Sequence, residues 1–525
     1  MPPKELSEKQ VKKSLNAAIW DGSFWAAMVG FGESFFSAFA VFLKATNFEL
    51  GVLGSLPQLL GALCQLATTK LITLFGSRKR LVLAGVVLQA LTLVPIALIF
   101  LAPQFNVLLL IGFVCLYYVF GQIVSPAWSS WIGDLVDEEQ RGKYFGKRNK
   151  IIGIVTFLGL LIGGVALHYM KTGPYADEAY LSFTALFLLA FVARLLSFLA
   201  LLRQDEPIGP IAYRSRSGFI AFLKSASRTN YGLLVFYLSA MNFAVYIAAP
   251  YFTAYMLNDL QMDYVTFTIL TAASVIVKYL MMPFWGKAAD KYGTRRVLAL
   301  SSVLVPIVPI LWLFSSNFWY LMLAQFVSGF VWAGFEIASF NFLLDATEPE
   351  RRSSMFAYYN VLNGIAMFLG AMLGVLLIKY PLLLNGYMVV FLISGLARYG
   401  VVFLFLPKLR EVREVKKISY RELLFQVVAS TQTMGFVHKV IIPEMKPVLK
   451  QLDPQPLLRE VDALLEPLPE SVHDAMKLSV TGTKLIISTG LYPVEQMLKE
   501  PAPVKPKKKR KARNKRKRAN NRRSS

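Results

Sequence analysis

Charge is scarce in this sequence of 525 residues. Asp, Glu, Lys and Arg make up 17% of it, against ~25% in an average soluble domain, while apolar residues reach 55%. So little charge cannot cover the surface of a soluble protein this large, and the composition points to a chain that crosses a membrane many times. Cysteine is nearly absent. Cys64 and Cys115 both lie inside apolar runs, which excludes a disulfide framework or a cysteine-rich metal site and leaves them as small buried hydrophobes. Histidine is limited to His168, His438 and His473, scattered along the chain, and no Gly-Lys-Ser/Thr phosphate loop occurs. An ATPase or a metalloenzyme is therefore not expected, nor any cofactor, metal or catalytic residue. The opening "MPPKELSEKQVKKSLNAA" lacks the apolar core of a cleavable signal, so the first apolar helix is expected to start insertion.

What the sequence has in abundance is long apolar runs. Twelve windows are long enough to cross a ~30 Å hydrocarbon layer as helices. Helices 1–6 are expected at 20–44, 50–75, 81–102, 106–134, 151–170 and 180–202, and helices 7–12 at 232–257, 264–286, 297–315, 318–344, 360–379 and 387–406. Helices follow because each span must satisfy its own backbone polar groups inside lipid. The fold class is accordingly all-α. The polar, basic break at 203–231 divides the twelve into six plus six. The expected partition is an N-terminal segment 1–18, a six-helix bundle 19–203, a linker 204–230, a second bundle 231–407, an extension with short amphipathic helices 408–500, and a polybasic tail 501–525.

Lys and Arg in the connections set the orientation. With the N-terminus inside, the inner segments 1–18, 76–80, 137–150, 203–228, 287–296 and 346–354 hold twenty-three basic residues, and the outer loops hold only Lys44, Lys171 and Lys379. Both termini are expected in the cytoplasm, in a plasma (inner) membrane protein.

The halves repeat each other. "DLVDEEQRGKYFGKRNKIIGIVTFLGLLIGG" from Asp134 aligns with "DATEPERRSSMFAYYNVLNGIAMFLGAMLGV" from Asp345, matching Glu139 with Glu350, Arg141 with Arg352 and Gly163 with Gly374. Arg194 and Arg398 also fall in register, in "VARLLSFLALL" and "LARYGVVFLFL". Two matched six-helix halves are a transporter architecture. Between helices 8 and 9 stands "GKAADKYGTRR", with Gly286, Asp290, Lys291, Gly293, Arg295 and Arg296 at the spacing Gly-x-x-x-Asp-(Arg/Lys)-x-Gly-x-(Arg/Lys)-(Arg/Lys). Over residues 17–407 the chain resembles the Major Facilitator Superfamily. The sibling hinge departs from that pattern: Thr69 and Thr73 stand where Gly and Asp belong, leaving Gly76, Arg78, Lys79 and Arg80.

The resemblance implies a secondary transporter working by alternating access on a small organic solute. The competing reading is a transporter-like scaffold or sensor that signals through its cytoplasmic tail. Glycines at the hinge permit close helix approach, and a carboxylate such as Asp290 can accept bonds from the N-terminus of a facing helix. The expected gate pairs Asp290 with the start of helix 5 near Gly142–Gly146, with Arg141 or Arg148 in reach, and Arg352 as the repeat of Arg141. The alternative is a charged hinge that only enforces orientation.

Ionisable residues at mid-bilayer cost ~2.5–3.5 kcal/mol and so line water or pair with one another. Glu33, Lys278, Arg194 and Arg398 fall near mid-depth, with Glu336 nearer the cytoplasm. The resemblance puts helices 1, 4, 7 and 10 around a central cavity, which makes Gln122, Ser125, Trp128, Asn242, Tyr246 and Asn341 candidate lining residues beside Glu33 and Glu336. Glu33 could titrate, balance a cationic solute, or pair with Arg194. Lys278 and Glu336 are expected to pair. Arg194 and Arg398 occupy peripheral helices in the family, which favours a structural role. Asp21 is expected at the membrane boundary, facing the cytoplasm. Protons are the expected coupling ion, although the helix 4 stretch "CLYYVFGQ" lacks the Arg of many proton-driven relatives and the helix 5 antiporter pattern is only partial. The chain is expected to act as a monomer. Its tail carries thirteen Lys or Arg between Lys505 and Arg523, suited to anionic lipid headgroups and not expected to bind nucleic acid.

Overall fold

The computed structural model describes residues 6–429, apart from 103–105, 137–140, 173–179, 208–218, 348–351, 381–384 and 413–417. Among the described residues there is no strand, and eleven helices are long and apolar enough to span a membrane, or twelve when one bent pair is counted as a span. That bent pair is helix 2, Asn47–Gln65 and Thr68–Phe75, turned by 54°.

Helix 1 begins far ahead of its apolar run. Ser7 and Gln10 close a capping box, so the helix runs Glu8–Phe31, breaks at Gly32 into a 3-10 turn Glu33–Phe35, and resumes as Phe36–Phe42. Helices 3 to 6 follow as Arg78–Ala97, Asn106–Leu135, Arg141–Thr172 and Tyr180–Leu202. Pro126 lies within the unbroken helix 4. Helix 7, Asn230–Tyr246, gives way at Pro250 to a 3-10 turn Ala249–Tyr251 and ends in a π-helical turn Tyr255–Asp259. Helices 8 to 12 are Tyr264–Tyr292, Thr294–Leu304 with Ile307–Leu311, Phe318–Asp345, Arg352–Lys379 and Gly386–Phe405. Helices 1 and 7, equivalent in the two halves, are thus both interrupted, which frees backbone groups within both spans.

Within the first half, helix 1 packs on helices 5 and 6, and helices 3 and 4 on each other. In the second half, helix 8 packs on helix 10 and helix 7 on helices 11 and 12. Between halves, helix 2 meets helix 11 and helix 5 meets helix 8. Glycines set these crossings. A Cβ at Gly164 would stand 2.1 Å from Thr268 Oγ1, and one at Gly30 2.8 Å from the Thr156 carbonyl.

The two ends of the bundle differ. At the end away from the Lys- and Arg-rich connections, one buried cluster joins both halves through Phe36, Phe39, Phe183, Tyr251, Tyr264 and Tyr387. Phe183 stands edge-on to Tyr264 at 5.9 Å, Tyr387 Oη donates to Asn47 Oδ1 (2.7 Å), and His168 Nδ1 approaches Asp263 Oδ1 (3.9 Å). At the basic end the buried clusters are two, one within each half. The halves are joined at one end and parted at the other.

Two short helices lie at the basic end of the second half. Phe219–Ala226, from the linker, packs Phe222 between Tyr231 and Tyr358. Tyr420–Ala429 buries Leu423 and Val427 against that half, and Tyr292 Oη donates to the Gln426 side-chain oxygen. Only this first amphipathic stretch of the extension is seen. The later ones and the polybasic run lie outside the described residues.

Candidate functional site

A cavity of about 350 Å³ opens among helices 1, 3, 4, 5 and 6. Helical spacing explains its walls. Asp21, Trp25 and Glu33 recur along one face of helix 1, and Tyr118, Gln122, Ser125 and Ser129 along one face of helix 4, each series about 18 Å or less in length. Gln122, Ser125 and Trp128 lie on its wall, but no residue of helix 7 or 10 does, so this cavity belongs to the first half and is not the central one expected among helices 1, 4, 7 and 10. Gly61 brings helix 2 close here, since a Cβ on it would meet Gln122 Cγ at 2.7 Å.

Glu33 sits at the break in helix 1, at one end of the cavity. Its two carboxylate oxygens each accept a hydroxyl, from Tyr117 and from Tyr118, both at 3.0 Å. Tyr246 of helix 7 and Tyr279 of helix 8 lie within electrostatic range of it, so Glu33 stands where the halves meet. The pairing of Glu33 with Arg194 weighed above is not what forms. Arg194 Nη1 donates to Ser197 Oγ (3.0 Å), which donates to Asp21 Oδ1 (2.7 Å).

Asp21 does not face the cytoplasm: it is 4% exposed and lies inside the first half. The cause is the early start of helix 1, which puts Asp21 nearly four turns in, about 20 Å from Glu8. Arg148 and Arg194 both lie within electrostatic range of it. Arg148 Nε donates to the Ala18 carbonyl (3.3 Å), and its guanidinium stacks 4.4 Å from the Trp128 ring. A carboxylate ringed by Arg148, Arg194, Ser197 and Trp128 was absent from the sequence reading. The only signal was the i, i+4 spacing of Asp21 and Trp25 on the Glu33 face.

In the second half, Lys278 Nζ meets Glu336 Oε1 at 3.1 Å, as expected. The tight crossing at Gly329, whose Cβ would meet the Ser274 carbonyl at 2.5 Å, holds helix 10 close enough for the pair. Asn242 Nδ2 donates to the Leu238 carbonyl of its own helix (3.1 Å), and Asn341 is half-buried on helix 10. Arg398 does not reach the cavity. It is buried and donates through Nη1 to the Val305 carbonyl (3.1 Å), which Pro309, having no N–H, cannot serve. Trp131 is buried and donates to the Asp205 carbonyl (3.0 Å).

The sequence profile of the Major Facilitator Superfamily matches residues 22–253 and again 233–465. The chain belongs to the Major Facilitator Superfamily. Members of this superfamily are transporters, and this one is an integral membrane protein that crosses the bilayer many times. Among curated relatives, the class B tetracycline resistance protein of Escherichia coli is 29% identical over 108 residues, 21% of this chain and 27% of that protein. The class H protein of Pasteurella multocida is 26% identical over 109 residues, with the same shares. The chain thus spans about a quarter of the length of the curated relatives it matches. Two solved structures share the fold. The xylose transporter XylE from E. coli superposes with a TM-score of 0.58 at 13% identity, over 78% of this chain and 100% of that one. The nucleoside transporter NupG superposes with 0.55 at 16%, over 75% and 98%.

The superfamily hinge and its sibling combine two left-handed glycines with buried arginines. Gly293, at φ +101°, needs its glycine, as does Gly76 at φ +64°. Gly286 is no tight crossing, since a Cβ there would find its nearest neighbour at 3.9 Å. Asp290 is exposed on the last turn of helix 8, and Lys291 lies over the Tyr292 ring at 4.9 Å. Arg148, a suggested partner for Asp290, is turned instead to helix 1. The side chains of Arg141, Gly142, Gly146 and Arg352 lie outside the described residues. Arg296 is buried, and Arg295 is 0% exposed. Arg295 clamps the end of helix 12: its Nε donates to the Leu409 carbonyl (2.6 Å), Nη2 to that of Leu406 (3.4 Å), and its backbone N–H to Glu411 Oε2 (2.9 Å). Arg78 repeats this fixture in the first half. Its backbone N–H donates to Glu206 Oε1 (2.9 Å) and its Nη1 to Asp134 Oδ2 (2.7 Å).

Proposed function

We propose that this protein is a secondary transporter that carries a small organic solute across a plasma (inner) membrane by alternating access, coupled to protons, with both termini in the cytoplasm. The observation that carries this reading is the unequal pair of ends. The halves share one core at the end away from the basic connections and have separate cores at the basic end, beside a polar cavity that reaches Glu33. On this reading the solute enters from the cytoplasmic face in the state described. Rocking of the halves then parts the shared aromatic core and closes the other side. Glu33 is the proton carrier, because it lies at the junction and its hydrogen-bond partners among the described residues are both hydroxyls. The Lys278–Glu336 pair forms the facing wall. The transporter works as a monomer, and the run from Lys505 to Arg523 rests on anionic lipid at the cytoplasmic surface.

The test is counterflow in proteoliposomes, with a tail-deleted protein as control. Tetracycline, a nucleoside and xylose, the solutes named for its relatives, form the first panel. Protein-dependent counterflow of a solute is expected, together with proton-driven net transport that a protonophore abolishes. Absence of exchange for a broad solute library, with the tail controlling some other output, would favour the scaffold reading.

A further inference from the structure

The first-half recess gathers both of its guanidiniums about one of its two acids. Helices 5 and 6 bring Arg148 and Arg194 to a single carboxylate, Asp21 on helix 1. Glu33, the other acid on the cavity wall, is held by two tyrosine hydroxyls at 3.0 Å and, among the described residues, meets neither guanidinium. A cation in a low-dielectric site needs a counter-charge or a hydrogen-bond acceptor.

Two buried atoms mark where that acceptor would sit. Arg194 is 5% exposed, and among the described residues its Nε has no hydrogen-bond partner. Gln89, on helix 3, is 4% exposed: its Nε2 donates to the Tyr117 carbonyl (3.3 Å), and its Oε1 is left without a donor. Both side chains line the recess. The Trp128 indole N–H faces Asp21 without closing a hydrogen bond and adds a further donor. Trp25, Tyr118 and Trp128 give the recess flat apolar walls.

We propose that this recess binds a monoanionic organic solute. Its oxyanion is received by Arg194 and Arg148, its flat body lies against Trp25 and Trp128, and a hydroxyl or N–H on it donates to Gln89. An oxyanion suits these donors because guanidinium N–H groups match its lone pairs, and charge-assisted bonds of this kind are about twice as strong as neutral ones. Asp21 then competes with the solute for the same two cations. This names the solute class of the transport reading above and rests on it for the route, though not for binding itself.

The full-length protein in lipid nanodiscs is titrated with 4-hydroxyphenylacetate, 4-hydroxyphenylphosphonate, the neutral 4-hydroxyphenylacetamide and the cationic tyramine, followed by saturable thermal stabilisation. The expected result is that one or both anions bind roughly tenfold or more tighter than the amide and the amine. The carboxylate and phosphonate arms distinguish a carboxylic from a phosphorus oxyanion. Arg148→Gln is expected to lower anion affinity by roughly tenfold while leaving the amide unchanged, and Asp21→Asn to raise it. Equal binding of amide or amine, or no binding by any member, overturns the proposal, and the panel on the unaltered chain decides this even if a variant fails to fold. Anion binding without counterflow would sink the transport reading and leave the recess. Counterflow of a neutral solute that no anion inhibits would do the reverse.

Discussion

The two halves of this chain descend from one pattern, yet they keep different parts of it. Each begins its third helix with an arginine, Arg78 or Arg295, that fastens the segment following its sixth helix: Arg78 through Glu206, Arg295 through Glu411 and two carbonyls. Asp134 and Asp345, aligned in the repeat, add to each fixture, on Arg78 and on Thr294. Residues that face the other half have diverged. Helix 8 runs unbroken to Asp290, while helix 2 bends by 54° before Thr73. The first half holds a carboxylate among two arginines where the second has a single Lys–Glu pair. Contacts that fasten each half, the hinge arginines included, are repeated, and those that line the cavity are not.

This comparison can be broken most forcefully at the fixtures. Arg295→Ala strips donors from two buried carbonyls and should cost about 3 kcal/mol or more, read as lost monodisperse protein or a large fall in melting temperature. Arg78→Ala should do comparable harm, because Glu206 and Asp134 lose the same cation. A mild effect at either site would show that the fixtures do not hold the halves together.

Next in size is the contrast between the two acids. Glu33→Gln should lower proton-driven accumulation roughly a hundredfold, the scale of a lost proton-transfer group, and leave counterflow. Glu336→Gln, which leaves half-exposed Lys278 unpaired, should cost roughly tenfold in solute affinity or less. Matched losses in both assays would erase the division of labour.

Much of the fold could be read from the sequence. Twelve spans, the repeat and the Lys278–Glu336 contact follow from hydropathy, register and helical rise. The site was harder. Asp21 was expected to face the cytoplasm because the polar residues Glu8–Asn16 hid a capped helix that continues into the span. Arg194 was offered the wrong carboxylate for the same reason. Gly286 fitted a motif whose glycine makes no tight contact here, and Arg148 was assigned to a hinge partner although its guanidinium stacks on Trp128. Sequence gives depth along each helix, but rotation and partner choice come only from packing.

Smaller effects sharpen the picture at the ends. Leu423→Asp should unseat the Tyr420–Ala429 helix from the second half at a cost of about 2–3 kcal/mol, seen as faster proteolysis after Glu411, with no equivalent site in the first half. Asp263→Ala should cost about 1 kcal/mol by removing the cap of helix 8. Burial alone pushes the Asp263 carboxyl up, but the Thr266 N–H (2.8 Å) and hydroxyl (3.0 Å), with the charge of His168, outweigh it and hold it below its ordinary value. The native carboxyl thus binds its proton less readily than the unfolded one. Its stabilisation is present above pH ~4 and drains away as pH falls through the native value, and the variant should lack that loss in acid melts.

The central claim is that the ends open and close reciprocally. It is tested most directly by pulsed electron–electron distance measurements on two spin-label pairs, in a background lacking Cys64 and Cys115. One pair joins exposed Leu74 and Lys287 at the basic end, and the other joins Phe48 and Tyr380 at the opposite end. On adding transported solute, the account predicts that the basic-end distance shortens while the opposite distance lengthens. Transport with both distances unchanged, or with both moving in the same direction, would contradict it.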